Sequence, residues 1–438
     1  MNRKHLSRRD FLKFALGTAA AGVVTGCAPQ QAAAPVTTAE TAAELSGKIV
    51  CWGWDPCDVS FKSIIPSFQA KYPKAEIEVV NVPWDDIHPK LTASIEAGTG
   101  GPDICVVEGY LAPQFQGTGI MELTDRIAPY RSQIAPAKFA EVESDGKIWG
   151  IPWELPPAAI MYRSDMFEKA GITEIPKTWD AFVTELGPKL TTGGTFLFAM
   201  DPAVSPTFYW YRPLLYQIGS GYFTADGQIL LGDEKSKRAL QWMVDAIHTH
   251  KVAMTGVEYF EGPSWWSALK DNKVASIFAA PWMIGMMKSQ VPEQAGLWKV
   301  APLPVWDEGN AQTTVLGGAS VVIPEHSQNK ELAWKFAEAM LLTVEGNLNV
   351  FKSSGIWPSF TPTFDDKSWD EPDPYFGGQA MGRVFADLTP KVPSYFYGKK
   401  FVEAERQIVR PEVIKVLNQE ESVDEGLAKA VEGLKQLL

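Results

Sequence analysis

A chain of 438 residues is too long for one hydrophobic core, which seldom grows past roughly 250–300 residues, so two domains are expected. Its make-up, 45% apolar and 21% charged, is that of an ordinary globular protein. A net charge of −12 leaves no surplus of clustered Lys and Arg, so neither nucleic acid nor a polybasic membrane patch is an expected partner.

Near the start of the chain lies the stretch LSRRDFLKFALGTAAAGVVTGC, Leu6 to Cys27. Its apolar run is far shorter than the roughly 20 residues needed to cross a hydrocarbon core. It has the length of the apolar part of an export signal behind a basic start at Arg3, Lys4, Arg8 and Arg9. Ser7 to Lys13 resembles the twin-arginine export motif. Val24-Thr25-Gly26-Cys27 resembles a bacterial lipobox, in which Cys27 is acylated and becomes the first residue. Residues 1–27 are therefore expected to be a signal peptide, and residues 28–46, rich in Ala, Pro and Thr, a disordered tether. Nothing later is long and apolar enough to span a bilayer. The lipid is then the sole membrane contact, and the chain works at the outer face of the cytoplasmic membrane.

From Lys48 strands alternate with helices. KIVCWGW is a continuous β-branched and aromatic run, as in a strand buried on both faces. VSFKSIIPSFQAKYP reads as a helix, AEIEVVNVP as a strand, DIHPKLTASIEAG as a helix stopped at Gly98, and GGPDICVVE as a third strand. Past GKIWGIPWEL come AIMYRSDMFEKAGI and then PKTWDAFVTEL, with Thr178 as N-cap and Asp180 in the first turn. KSKRALQWMVDAIHTH sets Leu240, Met243, Val244 and Ile247 on one helical face, and KVASIFAAPW is a further strand. A strand and a helix follow in ASVVIPEHSQNKELAWKFAEAMLLT, with Leu332, Ala333, Phe336, Ala337 and Met340 inward. Ser422 and Glu425 form a capping box for the last helix. The alternation implies an α/β fold with mostly parallel sheets. Cys51 and Cys105 fall in strand-like runs and read as packing residues; with Cys57 they allow at most one bridge, and no disulfide framework.

Six stretches taken together resemble the extracellular sugar-binding proteins of ABC importers, the group of the maltose-binding proteins. They are LTASIEAGTGGPDI, GKIWGIPW, MYRSDMFEKAGITEIPKTWDAF, DEKSKRALQWMVD, LGGASVVIPEHSQNKELAWKFAEAMLLTVEG and SGIWPSF, in the family's order. The resemblance implies two α/β lobes with a ligand cleft between them. One lobe would hold residues 47–152 with 305–355 returning, the other 153–304 with 356–438 returning. It also implies a monomer that passes a small carbohydrate to permease subunits of an ABC transporter, with no cofactor.

A sugar presents C–H faces that pack on flat rings and hydroxyls that need fixed donors and acceptors. In open α/β sheets the ligand lies beyond the carboxyl ends of the strands. The first strand ends in Trp54 and Asp55, the third in Glu108 and Tyr110, and GTFLFAM in Asp201. Trp153 and Glu154 lie in the crossover, Trp282 ends SIFAAPW, Gly317 and Gly318 offer bare backbone N–H groups, and Trp357 follows in SGIWPSF. Tyr209 and Trp210 come from the aromatic loop SPTFYWYRPLLYQ. These are the expected ligand residues. Trp179, Trp242, Trp298 and Trp334 read as packing, Trp265 and Trp266 open a helix, and Asp103 reads as a turn or cap. A polyamine or peptide binder on the same fold is the alternative, since polyamines also favour Trp plates and carboxylates. A glycoside-acting enzyme ranks below it, because no carboxylate pair is fixed by the sequence. With five His and no H-E-x-x-H, a metal site is not expected.

Replacing Arg8 and Arg9 by Lys is expected to leave the precursor in the cytoplasm, and Cys27→Ala to release soluble protein. Fractionation of cells carrying each variant checks both; membrane-bound Cys27→Ala protein would remove the lipid anchor.

Overall fold

The computed structural model describes residues 45–260 and 262–438. The expected signal, Cys27 and most of the expected tether lie outside the described residues. Ser46, placed in the tether by the sequence, already belongs to the first strand.

The first lobe opens with β1 (Ser46–Gly53), the helix Cys57–Lys71, β2 (Lys74–Asn81), the helix Trp84–Ala97 and β3 (Ile104–Glu108). β4 (Ile151–Pro152) is its last strand before the chain leaves. In the second lobe come β5 (Ala159–Arg163), β6 (Phe198–Ala199), β7 (Ala253–Met254), β8 (Ser276–Ala279) and β9 (Trp298–Ala301). β10 (Ala319–Val322) then returns to the first sheet, whose order is β2-β1-β3-β10-β4. The second sheet is β8-β5-β9, extended where Phe196, just before β6, bridges in parallel to Val274.

Each sheet contains one reversed strand. β1 pairs in parallel with β2 and β3, whereas β10 is antiparallel to both β3 and β4. β5 is likewise antiparallel to β8 and β9. Mostly parallel sheets are expected from the sequence; β3, β4, β8 and β9 do run with their sheets, but the hydrogen-bonded pairs flanking β5 and β10 are antiparallel. The reason is the route of the chain. β5 and β10 are the first strands formed after the chain passes from the other lobe, so no helical crossover within the sheet dictates their direction.

Two cores result. Ile49, Phe61, Ile104, Val106, Leu332, Phe336 and Met340 pack under the first sheet. The returning helix Val344–Ser354 closes on Cys57–Lys71, with Ser60 Oγ donating to Ser354 Oγ at 2.8 Å. Cys51, Cys57 and Cys105 are buried free thiols, and burial pushes each thiol pKa up. Asp103 takes the backbone N–H of Val50 at 2.8 Å and the Ser327 hydroxyl at 2.6 Å, a structural clamp. The second core is aromatic. Trp179, Trp242 and Trp306 meet edge to face or tilted, and Phe198 stacks on Trp242 at 5.8 Å. Thr178 caps the helix Trp179–Leu190 by accepting from Ala181 N–H at 3.2 Å, and Ser422 with Glu425 forms the capping box. Leu240 and Met243 are buried as the helical pattern requires, while Val244 and Ile247 are half-buried at a turn of π-helix, Asp245–Thr249. Among the described residues no helix is long and apolar enough to cross a membrane.

Trp242 is 7% exposed and its indole N–H reaches Trp179 O at 3.3 Å. Trp242→Ala is expected to cost about 3–5 kcal/mol of stability, read by chemical denaturation.

Candidate functional site

The carboxyl ends of the first-lobe strands converge on one side. β1 ends in half-buried Trp54 and exposed Asp55, and β2 leads through Pro83 into Trp84, the first residue of its helix. One turn on, His88 lies between the two rings, 5.8 Å from Trp54 and 5.9 Å from Trp84. Burial lowers the His88 pKa to about 4, with Arg406 acting in the same direction, so the imidazole is neutral at ordinary pH. Its Nε2 accordingly accepts the backbone N–H of Glu108 at 3.1 Å. Trp84 donates its indole N–H to Glu108 Oε2 at 3.3 Å. Tyr110, two residues past β3, is buried and faces the second lobe.

On the other side a chain of rings runs Phe208, Tyr209, Phe260, Trp282 with centroid spacings of 4.9, 5.1 and 5.3 Å. Trp282 opens the helix Trp282–Gln290, remains half-buried, and anchors its indole N–H on Leu316 O at 3.0 Å. The lobes meet where Tyr110 lies 5.9 Å from Phe208, with the Arg212 guanidinium 4.8 Å from the Tyr110 ring. Arg406 Nη2 reaches the Tyr110 hydroxyl at 3.5 Å.

Buried acids line the passage between the lobes. Glu154, in the crossover after β4, donates its N–H to Ala319 O at 2.9 Å, while its Oε1 has no hydrogen-bond partner among the described residues. Burial, reinforced by the charge of Glu108, raises Glu154 to about 8; burial, with a smaller push from Glu141, raises Glu108 to about 7 against the Trp84 hydrogen bond. Glu141 is itself fully buried against Lys138, and it accepts from Ser320 Oγ at 3.2 Å and from the Tyr395 hydroxyl at 2.7 Å. Gly318, at φ +114°, has no room for a side chain, because a Cβ would stand 2.9 Å from Glu154 O. Its carbonyl accepts the Gly109 N–H at 2.8 Å.

The structure thus gathers Trp54, Asp55, Glu108, Tyr110, Glu154, Tyr209, Trp282 and Gly318 about the junction of the lobes. It sends four others elsewhere. Trp153 is 1% exposed in the first core, 6.0 Å from Phe61. Trp210 lies 4.9 Å from both Phe198 and Phe278. Trp357 is fully buried against Phe364 and Trp369, its indole N–H on Thr389 Oγ1 at 2.7 Å. Asp201 accepts backbone N–H groups of Ala203 at 2.7 Å, Val257 at 3.1 Å and Gly256, pinning the loop after β7. Trp84, His88, Phe208, Phe260 and Arg406 join the site without having been singled out from sequence. Trp84 follows the second strand directly, so the strand-end rule applied to β2 finds it. Two surface depressions of about 680 and 380 Å³ lie apart from these residues, on Ile175–Lys177 with Ala301–Gln312 and around Trp242 with Arg238. Among the described residues no cluster of His, Cys, Asp and Glu could hold a metal.

Residues 56–344 match the family model of the bacterial extracellular solute-binding proteins, and residues 5–25 that of the twin-arginine translocation signal. The chain belongs to this solute-binding family. It carries a twin-arginine export signal and works outside the cytoplasm. It is 25% identical over 344 residues to the arabinooligosaccharide-binding protein of Halalkalibacterium halodurans, covering 76% of each chain. It is 28% identical over 370 residues to the lactose-binding protein of Rhizobium radiobacter, covering 81% of this chain and 85% of that one. The solved structure of maltose-bound MalE3 from T. maritima aligns with TM-score 0.75 at 20% identity, over 89% of this chain and 100% of that one. The family fold is thereby shared: two α/β lobes about a cleft.

Glu108 and Glu154 bind protons more tightly folded than unfolded, so the stability they confer is full below about pH 4.5 and is lost as pH rises through about 7 to 8. The melting temperature of the unliganded protein is expected to fall between pH 5 and pH 9, and Glu154→Gln to flatten that fall. A variant with the wild-type slope would show that Glu154 is not the titrating group.

Proposed function

We propose that the protein captures a carbohydrate between its lobes and delivers it to an ABC importer, while Cys27 holds the chain to the membrane by lipid. The observation that carries this reading is the lining of the cleft. Half-buried rings come from both lobes, Trp54 and Trp84 from the first and Phe208 and Trp282 from the second; Trp84 donates to the buried acid Glu108, and the buried Glu154 has an Oε1 unpaired among the described residues. Rings take the C–H faces of a sugar, and acids take its hydroxyls. The arabinooligosaccharide- and lactose-binding relatives support the same ligand class. A further relative in Pyrococcus horikoshii, 24% identical, is an ABC transporter extracellular-binding protein, which supports the partner. The protein is a carrier without turnover and acts as a monomer.

Calorimetric titration with arabinotriose, lactose and maltose tests the ligand class, with spermidine as the contrast. At least one sugar is expected to bind and spermidine not; spermidine alone binding would overturn the reading. Trp282→Ala is expected to weaken the bound sugar by about 2 kcal/mol or more, as a ring anchor does. Trp242→Ala, a core truncation, is expected to leave affinity nearly unchanged. Equal losses in the two variants would place the cleft elsewhere.

A further inference from the structure

Two of the cleft residues that the sequence did not single out, Phe208 and Arg406, stand on turns of the same rare kind. Thr207–Tyr211 and Ala404–Val409 are both π-helical. A π-turn carries an extra residue per turn, so it redirects the side chains beyond it, and it is frequent at functional sites. The two turns are far apart in sequence, yet they are joined by one side chain. Glu405, 1% exposed, accepts the hydroxyl of Thr207 on one oxygen and the hydroxyl of Tyr222 on the other. Arg410 Nη2 lies 4.0 Å from Oε1, the oxygen that accepts from Thr207. Thr207 is fully buried and Tyr222 is 2% exposed, so neither hydroxyl has bulk water as an alternative partner.

Each partner of that bond precedes or follows a cleft residue by one position. Thr207 is next to Phe208, whose ring meets Tyr110 at 5.9 Å, and Glu405 is next to Arg406, which reaches the Tyr110 hydroxyl. Between them the buried Arg212 guanidinium lies 4.7 Å from the Phe208 ring and 4.8 Å from the Tyr110 ring, and its Nη1 has no hydrogen-bond partner among the described residues. Tyr222 has a different position. It lies in neither π-turn and stacks on Phe401 at 5.2 Å, a ring contact that Tyr222→Phe would keep.

We propose that Glu405 is a positioning residue of the ligand site: it ties the two π-turns together and so aims Phe208 and Arg406 at Tyr110 across the cleft. This rests on the carbohydrate reading above. A carboxylate that only stabilised the fold would serve equally through either hydroxyl. A positioning carboxylate acts through Thr207 alone, because only that bond joins turn to turn.

The test removes one hydroxyl at a time. Thr207→Val and Tyr222→Phe each delete one hydrogen bond to Glu405 with little change of shape, and both avoid the folding risk of Glu405→Ala. Affinity for arabinotriose, lactose and maltose is measured by calorimetry on the mature chain, alongside thermal melts and backbone amide exchange. Thr207→Val is expected to weaken the bound sugar about tenfold, the worth of one lost bond to a charged group, and Tyr222→Phe to stay within about twofold at similar loss of melting temperature. In Thr207→Val, amide exchange is expected to rise in both turns together. Equal loss of affinity in the two variants, or none in either, would overturn the proposal. If the wild type bound none of the three sugars, the carbohydrate reading would fall while exchange still judged the lock: unchanged exchange in both turns of Thr207→Val would sink it.

Discussion

A fully buried ion pair, Lys138 with Glu141, sits where the chain segments joining the lobes come together. Removing two charges from water costs several kcal/mol each, and only close geometry with further hydrogen bonds offsets that. Glu141 has those bonds: Ser320 from the reversed strand β10 and Tyr395 from the C-terminal segment both donate to it. Its backbone carbonyl also takes the Gln116 amide at 3.0 Å. A single carboxylate thus gathers the first lobe, the returning strand and the C-terminal segment. Its charge is felt at Glu108 and Glu154, which it helps to hold in the protonated form.

The route of the chain places Glu108 and Glu154 beside that pair. Each passage between lobes ends in a strand that runs against its sheet, β5 after the first and β10 after the second. Because β10 is inserted between β3 and β4, the end of β3 is brought against the start of β10 and the crossover holding Glu154. Gly318 is required there: the backbone of Glu154 comes too near for any side chain, and the positive φ suits glycine.

Much of the architecture is legible in the sequence because it is local. Strand runs, the Thr178 cap and the capping box at Ser422 follow from neighbouring residues, and the structure contains each of them. The site is less legible because it depends on which ring of a pair is covered. Trp153 and Trp357 lie in crossover sequences, where the strand-end rule points to ligand, yet each is covered by rings from elsewhere in the fold, Phe61 in one case and Phe385 with the nearer Phe364 and Trp369 in the other. Asp201 follows a strand as expected, but its oxygens are taken by backbone N–H groups, one local at Ala203 and others in the distant loop after β7. Arg406 had no signal at all. It sits in a helical pattern, on the π-turn Ala404–Val409, and reaches the Tyr110 hydroxyl from there.

The state of the two acids also bears on what can be bound. A polycation calls for ionised carboxylates, whereas burial keeps Glu108 and Glu154 partly protonated near neutral pH, Glu154 with the added charge of Glu108 beside it. A protonated carboxyl donates one hydrogen bond and accepts others, while an ionised one only accepts. Acids near their midpoints therefore offer both donors and acceptors, the complement of a hydroxyl, which both gives and takes. The Arg406 guanidinium at the junction adds a further obstacle for a cation and none for a neutral ligand. The chemistry of the acids and the rings thus points the same way: flat faces for C–H surfaces, and a donor–acceptor pair for the hydroxyls between them.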